Sequence, residues 1–221
     1  MRTATYCLVS AYLLAHLWTF WRIRVTPFFA LRCLCIAMSL RAVLVLGWTV
    51  TGASLRHWDA AWGVVQPLEL LACAYLVAEL LYFASTRSLP GERRNLVSLL
   101  VVSAAIVVIA ALHSPASAST ADWWKNIPGY CYIWLAAFVT LLGVCLRSVK
   151  PIHFAPMVSR HMSITTAYLW LRVAGHIAYP AVRQGTAAYQ FVNFTSLICI
   201  SLCLLTWGIL LPAVARRPQA A

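Results

Sequence analysis

Five charged side chains stand inside long apolar runs of this sequence: Arg32, Arg41, Glu69, Glu79 and Arg172. A lone charge in hydrocarbon costs about 2.5–3.5 kcal/mol on insertion scales, so each asks for a partner or a wet cavity. Tyr168, Arg172, His176 and Tyr179 follow one another at spacings of 4, 4 and 3, which is one face of a helix. Gln190 and Asn193 are one turn apart, and so are Gln66 and Glu69. Arg41, Gln66, Glu69, Arg172, His176, Tyr179, Gln190 and Asn193 therefore form the candidate ligand-binding set, expected in a polar pocket. The competing expectation is that the same groups only hydrogen-bond one helix to another.

Other chemistries fail on residue type or spacing. A retinal Schiff base needs a lysine within a span, and Lys125 and Lys150 both lie between apolar runs. A haem held by two histidines needs them at equal depth; His16 and His176 belong to opposite halves of the bilayer, and His113 and His161 to opposite faces. HExxH and carboxylate clusters are missing, so no metal site is expected; His57 and Asp59 read as solvated loop residues. GxSxG and GxGxxG do not occur. Catalytic residues are not assigned and no cofactor is expected, although Glu69 and His176 could support intramembrane catalysis. The eight cysteines contain no CxxC pair and read as small packing residues, with Cys145 a candidate for palmitoylation.

These residues must be positioned by something other than a water-soluble core. Of the 221 residues 62% are hydrophobic and only 10% charged, and the mean hydropathy is +0.81. Soluble domains are about 45–50% apolar and about 25% charged. Lipid offers the backbone no hydrogen-bond partners, so spans must be helices or a closed barrel, and runs of about 20 residues suit helices. The expected fold is all-α: an integral membrane seven-helix bundle with spans at about 4–21, 28–49, 64–84, 95–113, 127–147, 161–180 and 188–212. Turn residues mark the breaks at Val25-Thr26-Pro27, Leu89-Pro90-Gly91, His113-Ser114-Pro115 and Pro151 to Pro156. Ser114 to Asp122 reads as an exposed loop. The first span, followed directly by Arg22 and Arg24, suits an uncleaved helix better than a signal peptide.

The net charge of +12 sits mostly in the short connections, which argues for topology and against nucleic acid. Ten Lys and Arg follow the odd-numbered spans and four lie on the other side. The basic side is cytoplasmic by the positive-inside rule, which puts the N-terminus outside and the C-terminus in the cytoplasm. Trp58, Trp62, Trp123 and Trp124 then fall in or near outer loops. On this topology the polar pocket opens outward. At a rise of about 1.5 Å per residue, Arg41 matches Glu69 in depth and Arg32 matches Glu79. Arg32 and Arg41 are nine positions apart and face opposite ways, so both pairs do not fit one seam. The expectation is an Arg41–Glu69 pair, with Arg32 snorkelling to the interface.

Two resemblances follow from particular residues. Gln66-x-x-Glu69 and Gln190-x-x-Asn193 lie at similar places in spans 3 and 7, as Arg41 and Arg172 do in spans 2 and 6. That pattern is similar to small carriers of the SWEET and PQ-loop kind, which are built from two three-helix repeats around a linker span. No Pro-Gln dipeptide occurs; Gln66-Pro67 has the reverse order. Trp62, Pro67, Leu68, Glu79 and Tyr82, with Arg160-His161, also resemble a group of uncharacterised bacterial seven-span proteins. The expected layout, seven spans with the N-terminus outside, is similar to that of sensor modules that precede histidine kinases. The expected function is thus a non-catalytic sensor- or receptor-like module, or an accessory subunit, binding a small or lipidic ligand. A small carrier is the first alternative and an intramembrane enzyme the second. The expected setting is the bacterial inner membrane, with a membrane protein or a second copy of the chain as partner.

Overall fold

The computed structural model describes residues 2–26, 28–51, 55–86, 104–105, 108–109, 112, 120–149, 156–182 and 186–215. Six helices account for nearly all of them: α1 (Arg2–Ile23), α2 (Phe29–Thr51), α3 (Leu55–Thr86), α4 (Thr120–Val149), α5 (Pro156–Ala181) and α6 (Ala187–Ala215). The fold is all-helical. Four helices hold stretches long and apolar enough to cross a membrane, namely Phe29–Gly47, Val64–Phe83, Ile127–Cys145 and Ala187–Leu211. The expected span at 95–113 lies mostly outside the described residues; 104–105, 108–109 and 112 within it are helical.

Several helices run past their apolar stretches. α3 starts at Leu55 and α4 at Thr120, where connections were expected. His57, Trp58, Asp59 and Trp62 therefore stand on the first turns of α3 and not in a loop, and Trp123, Trp124 and Lys125 stand on α4. Apolar length sets how much helix the bilayer can hold, but the helix ends only where the backbone is broken. Neither extension contains Gly or Pro before Gly63 and Pro128. α5 begins at Pro156, and proline suits a first helical position because its missing N–H would find no partner there anyway. Pro67 and Pro128 lie within α3 and α4, a placement that helix neighbours make tolerable.

The described helices close a ring in chain order. Each packs on the next, α6 packs back on α1, and α3 also reaches across to α5. The stretch of α3 from Val64 to Phe83 is the most enclosed of the four apolar segments. The surface is inverted relative to a soluble protein. Leu14, Val43, Leu71, Leu141, Ile177 and Leu202 point outward and are exposed, while Glu69, Glu79, His16, His161 and Arg172 are buried. An apolar rim of this extent belongs against lipid.

Polar contacts fasten the ring. Thr19 Oγ1 donates to the Leu204 carbonyl at 3.1 Å, and Arg22 Nε to that of Gly208 at 3.3 Å, tying α1 to α6. Trp207 Nε1 donates to His161 Nδ1 at 3.0 Å, and the His161 ring lies 4.1 Å from that of Phe28, joining α6, α5 and the start of α2. Gly208 lies under the Trp18 indole; a Cβ there would fall 3.0 Å from Trp18 Cε3 and nearer still to Cζ3. Gly208→Val should therefore destabilise the α1–α6 seam by about 1–3 kcal/mol, as overpacking does. Melting temperatures in detergent test this: the loss should shrink when Trp18→Ala is added.

Candidate functional site

Glu69 is 1% exposed and comes from the enclosed stretch of α3. Two arginines converge on its carboxylate. Arg41 of α2 donates from Nη1 to Oε2 at 3.1 Å. Arg172 of α5 contacts Oε1 through Nη2. Tyr168, one turn before Arg172, adds a hydroxyl donor to Oε1 at 3.3 Å and lies 3.8 Å from Met38 Sδ. One carboxylate thus joins α2, α3 and α5. The expected Arg41–Glu69 pair is formed, and Arg172 is a second partner that depth alone does not reveal.

Aromatic groups line the same interior. Arg172 lies over the Tyr132 ring of α4, 5.0 Å from its centroid, and the Tyr132 ring stacks on His176 at 5.3 Å. Cation–π contact on a desolvated ring stabilises by up to about 2 kcal/mol. From α1 come Tyr12 and His16, whose rings are 4.2 Å apart; His16 Nδ1 donates to the Tyr12 carbonyl at 2.7 Å. His16 Nε2, the Tyr12 hydroxyl and Arg172 Nε are buried and make no hydrogen bond. The Tyr132 hydroxyl stands beside the cluster without a hydrogen bond of ordinary geometry.

The chain matches no family model, and no curated protein or solved structure matches it either.

The remaining candidates are placed as follows. His176 is half-buried one turn beyond Arg172, against Tyr132. Gln66 is half-buried, one turn before Glu69 on α3. Gln190 and Asn193 are half-buried on α6, which packs on α1 and α5 and does not approach α3. Tyr179 is in the last turn of α5, and its side chain lies outside the described residues. The centre therefore draws together Arg41, Glu69, Arg172 and His176, with Gln66 adjacent. Tyr132, Tyr168, Tyr12 and His16 belong with them. Tyr168 was visible on the helical face it shares with Arg172; Tyr132 carried no signal that separates it from a core aromatic.

Glu79 has a different task from the one its depth implies. Its Oε1 accepts from the Phe29 backbone N–H at 3.0 Å and its Oε2 from that of Ala30 at 3.1 Å. It is buried and caps the start of α2 from a neighbouring helix. Phe28 precedes the helix and has no side-chain acceptor, so the first amides would otherwise be bare in an apolar setting. The Arg32 guanidinium rests over Phe29 at 5.5 Å, and the residue is half-buried. All eight cysteines are free; Cys35, Cys73 and Cys131 are buried, and Cys145 is exposed. Among the described residues no three His, Cys, Asp or Glu side chains gather into a metal-sized group.

Proposed function

We propose that this chain is a non-catalytic, seven-span protein of a bacterial inner membrane, with its N-terminus outside and its C-terminus in the cytoplasm. It acts as a sensor- or receptor-like module or an accessory subunit, partnered by a membrane protein or by a second copy of itself. Its ligand, small or lipidic, binds at the Arg41–Glu69–Arg172 centre from the outer side. The observation that carries the reading is the sharing of one buried carboxylate between two arginines from different helices. A ligand that competes for either arginine changes how α2 and α5 are held to α3. That is a differential contact of the kind a switch requires. The charge asymmetry of the connections supports the orientation.

A reporter fused after Ala221 should read cytoplasmic, and a tag before Met1 should be reachable from outside; a periplasmic signal from the C-terminal fusion would refute the topology. The ligand reading is tested by purification in mild detergent with mass spectrometry of bound molecules.

A second reading, a small carrier of 3+1+3 design, is favoured by one observation. Arg41 and Arg172 hold matching places in the two supposed repeats and converge on the same carboxylate. Ligand flux into proteoliposomes separates it from the sensor.

A further inference from the structure

We infer that the outward side of the α1–α2 turn clasps the headgroup of an anionic phospholipid, with its phosphate held by Arg24 and Arg32. This site is separate from the proposed ligand centre and does not depend on it: Arg32 and Arg41 are nine positions apart, about 14 Å along α2.

The turn is tight and anchored. The Thr26 backbone N–H donates to the Ile23 carbonyl at 2.9 Å and the Thr26 hydroxyl to the same oxygen at 2.7 Å, and Ile23, Thr26 and Phe28 are buried. α1 ends at Ile23, α2 starts at Phe29 and the two pack together, so the last turn of one lies beside the first turn of the other. Trp21, Val25 and Phe29 are exposed there. Each of the two aromatic rings carries a guanidinium. Arg24 lies 5.2 Å from the Trp21 ring centroid and Arg32 5.5 Å from that of Phe29. Stacking occupies the face of a guanidinium and leaves the N–H donors at its edge for an acceptor. Arg24 is exposed, and Arg32 Nε is buried without a hydrogen bond. Glu79, the acid that α3 brings to the start of α2, is buried and accepts the Phe29 and Ala30 amides.

A phosphate matches the fork of an arginine and accepts from more than one of them. The surface that runs on from the two arginines decides between a lipid and a free anion. Leu14 and Leu17 of α1 are exposed, and so are Ile36 and Val43 of α2. Leu17 stands four positions before Trp21, and Leu14 three before that. Ile36 stands seven after Phe29, and Val43 seven after that. These are helical spacings, so the apolar faces of Trp21 and Phe29 continue along both helices. A phospholipid whose phosphate meets the arginines lays its acyl chains on these faces, a contact that inorganic phosphate does not make. Aromatic and arginine side chains at a helix end belong at headgroup depth. A negatively charged headgroup suits the pair better than a zwitterionic one, whose ammonium is brought towards two cations.

The test uses the full chain, freed of lipid in mild detergent and titrated with phosphatidylglycerol or phosphatidylcholine while bound lipid is followed by native mass spectrometry. The wild type should bind phosphatidylglycerol about tenfold more tightly than phosphatidylcholine. Arg24→Gln with Arg32→Gln should remove most of that preference. Arg24→Lys with Arg32→Lys should remove part of it, because lysine keeps the charge and loses the fork. Arg160→Gln, which takes an exposed arginine from the first turns of α5, should leave it unchanged. Should the double glutamine variant fail to fold, Arg24→Gln alone is set against Arg160→Gln and should lower the preference by about half or more. Equal affinity of the wild type for the two lipids overturns the inference, and so does an equal loss from Arg160→Gln. Displacement of phosphatidylglycerol by inorganic phosphate overturns it as well, since it would mark a site for a free anion.

Discussion

Glu69→Gln should lower the melting temperature in detergent by on the order of 10 °C. The substitution keeps the shape of the side chain and removes its charge. Arg41 and Arg172 then lose the carboxylate they share. Removing one member of a buried ion pair costs about 3–5 kcal/mol, because the remaining charge stays buried. Here two remain. Replacing Arg41 by Met and Glu69 by Leu together does not repair the centre, since Arg172, 8% exposed, is then left alone. Adding Arg172→Met should recover most of the loss, because well-packed apolar groups often replace buried ions without penalty. Arg41→Met alone should be mild, since one arginine and one carboxylate remain. The expected order, from most to least stable, places the triple variant and Arg41→Met above the double variant, and Glu69→Gln lowest. Thermal unfolding of the four proteins checks it.

Glu79→Ala should destabilise by about 3 kcal/mol and loosen the start of α2 specifically. Each hydrogen bond from an amide to a charged acceptor contributes about 1.5–3 kcal/mol, and Glu79 accepts two. In water a bare helix N-terminus is solvated, but Phe28, Ala30 and Leu31 around this one are buried. Glu79→Gln keeps one carbonyl acceptor and should fall between wild type and Glu79→Ala. Hydrogen exchange distinguishes a lost cap from general damage: the Phe29 and Ala30 amides should exchange faster than the rest of α2. Uniformly faster exchange along the helix would show that Glu79 matters for packing and not for capping.

The outcomes differ in how far residues reveal them. Apolar length marked the helices, because hydrocarbon sorts residues by transfer free energy, yet it missed the starts of α3 and α4. Those starts depend on helix continuity beyond the bilayer and not on apolarity. The Arg41–Glu69 pair was legible because a short connection makes α2 and α3 neighbours, so depth matches Arg41 to Glu69 and the half-turn between Arg32 and Arg41 argues against a second pair on that seam. The Arg172 contact was not, since α5 is more than a hundred residues from Arg41 and its rotation against α3 is a property of the assembled ring. The apolar stretches hold three arginines and two acids, so one acid shared by two arginines was a possible arrangement. The role of Glu79 left no trace, because its partners are backbone amides, which every sequence contains. The apolar Phe28 ahead of α2 was the nearest hint. Gln190 and Asn193 matched Gln66 and Glu69 in spacing, but spacing on one helix does not say which neighbour that helix will face.

The ligand at the Glu69 centre is tested most directly by native mass spectrometry of the chain released from mild detergent, with Arg41→Met run beside the wild type. The wild type is expected to carry an additional mass that dissociates at higher collision energy, and Arg41→Met to lack it. Bare protein in both samples, at the gentlest conditions that remove detergent, would contradict a bound ligand and leave Arg41, Glu69 and Arg172 as a fastening between helices.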